Sequence, residues 1–335
     1  MSEIEIEQSE KGTEHSEPRL SLGVSFRNNP VLRRELIERV RGVKVVVFVT
    51  LWLALLTLIL VLAYQGISLN EGQEIDVASL GRVGRELYEW VLFGMLVLVL
   101  FLVPGLTAGA ITGERERQTL VPLQMTMMRP RDIIIGKLSA ALAFLVFLVV
   151  AALPLLAVSF LVGGVTFFDM FRGLGMLLFT GLVLGSVCVW ISATLRRTTG
   201  ATVVAYGLSF FFAVGSFFGL IAFAITDASR GVDEVNPPAE LLSLNPVAAI
   251  ADVLPRSANN RFSDDTITPF GGLRTAIDEL DNNDRFENFD ENGVPLNRNR
   301  GPRIWIYYVV VGLVLLVVSI RQASVAVATP ADSER

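Results

Sequence analysis

Charged residues are spaced along this chain so that six stretches run free of them for about 17 to 25 positions, the length that crosses a hydrocarbon core as a helix. They are residues 44–64, 90–111, 138–162, 173–195, 201–226 and 304–320, and none has Lys, Arg, Asp, Glu or His in its interior. The pattern predicts an all-α integral membrane protein with six transmembrane helices. Pro104 and Pro154 fall inside the second and third stretches and predict kinks whose freed carbonyls are satisfied by neighbouring helices. Gly105 and Gly109, Gly181 and Gly185, and Gly215 and Gly219 form GxxxG pairs, a spacing that allows helices to approach closely.

The segments between the apolar stretches divide the chain into four parts. Residues 1–28 are acidic and polar without an apolar run, which predicts a disordered tail and no cleaved signal peptide. Residues 29–226 hold the first five spans behind the segment NPVLRRELIERVRGVK. There Asn29 and Pro30 suit a helix start, and Leu32, Leu36 and Val40 share a face, while Arg33, Arg34, Glu35 and Arg39 occupy the others, as in a helix lying on a membrane surface and held by its lipids. Residues 227–303 form a long loop. Within it LLSLNPVAAIADVL, with Asn245 and Pro246 as a helix start, predicts a short interfacial helix near 245–254 that lies at, or dips into, the outer surface. DNNDRFENFDENG in the same loop departs from a calcium loop, because Arg285 and Phe286 interrupt the alternate ligands. Residues 304–335 hold the last span and the C-terminus.

Residues 111–137, ITGERERQTLVPLQMTMMRPRDIIIGK, carry five Arg or Lys and three Asp or Glu between two uncharged stretches. Pro130 suits a first helical position and Asp132 the first turn, so the third helix is expected to open at RPRDIIIGK. Ahead of it Thr119 is placed to cap a short helix over 120–128, with Pro122 in its first turn. That helix would be apolar nearly all round: Leu120, Leu123 and Met127 share one face, Val121, Met125 and Met128 another. It therefore needs a cover, which is either a protein partner, to which each buried Leu or Met would contribute about 1.5–3 kcal/mol, or the headgroup region. Lys137 reads as a lysine at the foot of a helix.

Composition and charge add orientation and exclusions. Hydrophobic residues make up 52% of the 335-residue chain, and charged ones 18%, against roughly a quarter charged in soluble domains. Lys and Arg gather before the first span, between the second and third, and at Arg196 and Arg197. The positive-inside rule puts those segments and both termini in the cytoplasm. The loops over 65–89 and 163–172 then lie outside. The net charge of −5 averages this basic face with an acidic tail and points to no nucleic acid. The single histidine, His15, is in the tail and the single cysteine, Cys188, is in the fourth span. Neither HExxH, GxSxG nor a phosphate-cradling GxxxxGK[ST] loop occurs, so no enzyme active site, metal site or nucleotide site is expected in this chain. With no ionisable side chain in the spans to relay an ion, an energy source outside the bilayer is expected. The alternative is that the chain moves nothing and only anchors a partner.

The order of a second span, ITGERERQTL, a short apolar stretch and RPRDIIIGK resembles the permeases of ABC-2 type transporters, whose cytoplasmic loop runs close to GERExGTLExLLxxPxSxxEIxxGK. The sequence departs from that pattern at Gln118, Pro122 and Arg129. The resemblance implies the membrane half of an ATP-driven exporter in a bacterial plasma membrane, paired with a second permease copy as a homo- or heterodimer. ATP would bind to a separate ATPase subunit; the alternative is an anchoring or regulatory subunit that binds such an ATPase without transporting. The resemblance further implies that 120–128 is a coupling helix whose Leu120, Leu123 and Met127 fill a groove in the ATPase. Glu114, Arg115, Glu116 and Arg117 would then make polar contacts at its rim or with the N-terminal helix.

Overall fold

The computed structural model describes residues 42–70, 77–119, 130–215, 218, 244–254, 268–271, 273 and 304–328. Its elements are α1 (Val43–Asn70), α2 (Val77–Thr107), α3 (Thr112–Glu116), α4 (Pro130–Val162), α5 (Phe167–Thr194), α6 (Thr198–Phe210), which runs on as a π turn (Phe211–Gly215), α7 (Pro246–Val253) and α8 (Ile304–Ala328). No strand occurs among the described residues, and six of the helices are long and apolar enough to cross a membrane. The N-terminal segment, the stretch 120–129 and most of the 227–303 loop, with its DNNDRFENFDENG, lie outside the described residues.

The central column is α5, which touches α2, α4, α6, α7 and α8. Its N-terminus is set by a capping box: the Asp169 amide donates to Thr166 Oγ1 at 3.2 Å, and the Asp169 carboxylate accepts the Thr166 N–H at 3.4 Å. α1 is apolar all round but buries only one stripe, including Trp52, Leu56 and Ala63, while Val47, Leu51, Leu55 and Leu62 face outward. That distribution fits a peripheral helix with hydrocarbon on its free side. It comes close to α2 at Gly94, where an added Cβ would lie 2.9 Å from Leu56 Cδ2. α4 opens at Pro130 with Asp132 in its first turn, as the sequence predicts.

The segment 65–89, expected as an outer loop, is largely helix. α1 runs on to Asn70 and α2 starts at Val77. Val83, Leu87 and Val91 recur at helical spacing and are buried, while Arg82 lies 3.8 Å from Glu86 at i,i+4. Counting charges hides such a stretch, because a helix buries one face and leaves others for ionised groups. Here Glu86 and Glu89 are themselves buried. This part of α2 lies against the turn between α4 and α5, where Gly163 and Gly164 have φ of 108° and 80°. A Cβ at Gly84 would sit 2.0 Å from the Gly163 carbonyl oxygen, and one at Gly164 would sit 1.6 Å from that of Gly81. Only hydrogen fits between these backbones.

α7 starts at Asn245 and Pro246. It dips into the bundle, with Ala248, Ala249, Ile250 and Ala251 fully buried against α5 and α8. Asn245 caps it, Oδ1 accepting from Val247 N at 2.8 Å and Ala248 N at 3.4 Å, and at its other end Asp252 Oδ2 accepts from Trp305 N at 3.2 Å. α8 runs past the expected end at 320 to Ala328. There Ala323 and Val327 pack with Ile111, Ile134, Leu138, Val189 and Ala193.

Candidate functional site

At the end of the bundle that carries residues 108–119, here termed proximal, a knot of polar residues gathers the feet of four long helices. α2 ends at Thr107, and the chain turns through 108–111 into the one-turn helix α3. The amides of Ile111 and Thr112 donate to Ser192 Oγ of α5 at 3.0 and 3.1 Å. The next charged residues reach three different places. Glu114 Oε1 accepts from Lys137 Nζ of α4 at 3.1 Å. Arg115 donates from Nη1 to the Leu195 carbonyl at 2.8 Å and from Nη2 to that of Ala193 at 3.2 Å. Glu116 Oε1 accepts from the Thr198 amide, the first residue of α6, at 2.7 Å. Arg115 thus answers carbonyls at the C-terminal end of α5, and Glu116 an amide at the N-terminal end of α6, groups that a helix leaves without intrahelical partners.

The knot ends in a reversal. Gln118 N donates to Arg115 O at 3.1 Å and Thr119 N to Glu114 O at 2.9 Å, with Gln118 at φ 56°. This is the Schellman pattern, whose left-handed residue favours glycine. Gln118 is one of the positions where the chain departs from the ABC-2 loop, and the geometry explains why that loop carries glycine there. The Thr119 hydroxyl shares its proton between the Glu114 carbonyl and carboxylate.

Among the candidate residues, Glu114, Arg115 and Glu116 were expected at a partner's rim or against the N-terminal helix. Each makes a contact inside the chain. Arg117 is exposed beside them. Leu120, Leu123 and Met127, the N-terminal Arg33, Arg34, Glu35 and Arg39, and Gly219 lie outside the described residues. Gly181 and Gly185 sit where α5 meets α4 and α2: a Cβ at Gly181 would fall 2.4 Å from Leu145 Cδ2, and one at Gly185 would fall 3.0 Å from Leu138 Cδ1. Gly215 faces the Phe211 ring of its own π turn, 2.8 Å from an added Cβ. Sequence reasoning missed Lys137 and Ser192. Lys137 is only 4% exposed, and the one signal for it was a charge immediately before an apolar stretch.

A helical bundle with six helices long and apolar enough to cross a membrane, gathered at one end by charged side chains, defines a multi-pass membrane protein. The sequence narrows the class. The chain belongs to the ABC-2 family transporter proteins, whose pattern matches residues 30–327, and is the permease component of an ABC transporter. A search of curated proteins returned no match.

Proposed function

We propose that the chain exports its substrate across a bacterial plasma membrane, powered by a separate ATPase subunit that docks on residues 120–128, with the proximal end and both termini in the cytoplasm. The observation that carries the reading is the polar knot. It lies immediately before that apolar segment in the chain, and its consecutive residues Glu114, Arg115 and Glu116 are bonded to α4, to the end of α5 and to the start of α6. A displacement of 120–128 by a partner would therefore reach three spans through short, charge-assisted bonds. Leu120, Leu123 and Met127 are the groups for the ATPase groove, and methionines suit an adaptable docking surface. Arg117, exposed beside the knot, would meet its rim.

The N-terminal helix with Arg33, Arg34, Glu35 and Arg39 would flank this contact on the anionic inner surface. A second permease copy completes the transporter, and ATP binds to the partner subunits only. The close approaches at Gly181 and Gly185 support a rigid α2–α4–α5 core.

The test is the ATPase rate of the partner in membranes holding both subunits. Leu123→Asp is expected to abolish the permease-dependent stimulation while the variant still inserts in the membrane. Stimulation retained at the parent level would refute the docking assignment.

A further inference from the structure

Midway along the bundle, three departures from regular helix meet. Pro104 of α2 has no N–H, so the Leu100 carbonyl one turn earlier has no donor in its own helix. Ser209 of α6 supplies one, Oγ to O at 2.8 Å. Beyond Phe210, α6 passes into its π turn, and the Asn245 side chain, fully buried, donates from Nδ2 to the Ala213 carbonyl at 3.3 Å. The third departure is the start of α7, capped by the same asparagine. Between them lies a cavity of about 30 Å³ lined by Leu100, Thr180, Phe212, Pro246, Tyr308 and Gly312, with the Tyr308 hydroxyl 3.2 Å from that of Thr180.

Elsewhere in an apolar phase a helix holds its carbonyls internally, and breaking them open costs several kcal/mol each. At this level the bonds run between elements instead. Bending at a proline or a π turn is the usual way a long helix changes direction, and here it would exchange two side-chain bonds and leave the helices on either side intact. The small pocket shows that the three elements do not close completely on one another here. α7 is tied to α8 through Asp252 and Trp305 and packs on α5, which makes α5, α7 and α8 one block. α6 packs on α5 of that block at Ala201, against Val187 and Ile191, and is hydrogen-bonded to the block through Asn245, to α2 through Ser209 and, at its foot, to Glu116 of the polar knot.

We infer that α6 is the lever of the transport cycle, moved at its foot through Glu116 and turning about the junction of Leu100, Ala213 and Asn245, with Ser209 and Asn245 as the positioning residues of that fulcrum. The inference rests on the ATP-driven reading. It deepens that reading by naming the helix that moves and the residues that set its resting angle.

The experiment is pulsed electron paramagnetic resonance on the complex with its ATPase in lipid discs, in a Cys188→Ala background. One spin-label pair is Val203→Cys on α6 and Val314→Cys on α8, both exposed. A second, proximal pair is Gly200→Cys and Arg321→Cys. ATP with vanadate is expected to shift both distance distributions in the parent. Asn245→Ser keeps a capping oxygen but no amide donor, and Ser209→Ala removes the donor to Leu100. Both variants are expected to lose the ATP-dependent shift of the Val203–Val314 pair, and Ser209→Thr to recover it. Pro104→Ala, which gives Leu100 a donor within α2 and cannot weaken that helix, is expected to lose the shift as well, so the test survives if a polar variant fails to fold. If the proximal pair shifts and the Val203–Val314 pair does not, or if the variants move like the parent, the fulcrum is overturned while the ATP-driven reading stands. If neither pair responds to ATP in the parent, both fall.

Discussion

Glu114→Ala is expected to lower the stability of the folded chain by about 1–3 kcal/mol, the range for leaving a buried polar partner unsatisfied when the removed group is itself partly exposed, and to abolish stimulation of the partner ATPase. Lys137 is almost wholly buried and its Nζ lies 3.1 Å from the Glu114 carboxylate. Removing the acid would leave a buried ammonium without that counter-charge, and a buried charge is costly unless compensated. The same acid accepts from Thr119, so the reversal that presents residues 120–128 would loosen with it. Glu114→Ala/Lys137→Met removes both charges and is expected to recover most of the stability and none of the stimulation. Thermal unfolding in detergent reads the first quantity and the ATPase rate the second. A single variant that melts with the parent, or a double variant that melts below the single one, would contradict the pair's assigned role.

Gly164→Ala is expected to prevent folded protein from accumulating, a loss larger than about 4 kcal/mol. Its φ of 80° is strained for any side chain, and an added Cβ would lie 1.6 Å from the Gly81 carbonyl oxygen. The obstacle is backbone, so no rotamer change relieves it. Gly200→Ala makes the contrast, because nothing lies within 4 Å of its added Cβ. Alanine is the better helix former by about 1 kcal/mol, so that variant is expected to match or exceed the parent. The yield of monodisperse protein after size-exclusion chromatography separates the two, and equal yields would show that α2 does not approach the α4–α5 turn as described.

What was legible in the sequence follows from what each feature depends on. The spans depend on the length of uncharged runs, and all six are found. Pro130 with Asp132, and Asn245 with Pro246, were readable because helix starts are local chemistry. The distal part of α2 was read as loop because its four charges were counted without their spacing. The partners of Glu114, Arg115 and Glu116 lie 23 to 82 positions away along the chain, and only the fold brings them together. Lys137 looked like an ordinary lysine for the same reason. Pro104 announced a carbonyl in need of a donor, yet the identity of that donor, Ser209, depends on how α6 is rotated against α2. Gly81, Gly84, Gly163 and Gly164 fell outside the apolar runs where small-residue spacing was sought, so this close backbone approach went unread.

The central claim is that residues 120–128 receive an ATPase and that the polar knot carries its motion into the spans. The most direct test is to purify the tagged chain from its native membrane in mild detergent and identify what remains bound. The same is done for the chain carrying Leu120→Ser, Leu123→Ser and Met127→Ser. A soluble protein with a nucleotide-binding Walker motif is expected with the parent chain and lost from the variant. If no ATPase accompanies the parent, or if the variant holds it equally well, this segment is not the docking site and the account of ATP-driven coupling through it is wrong.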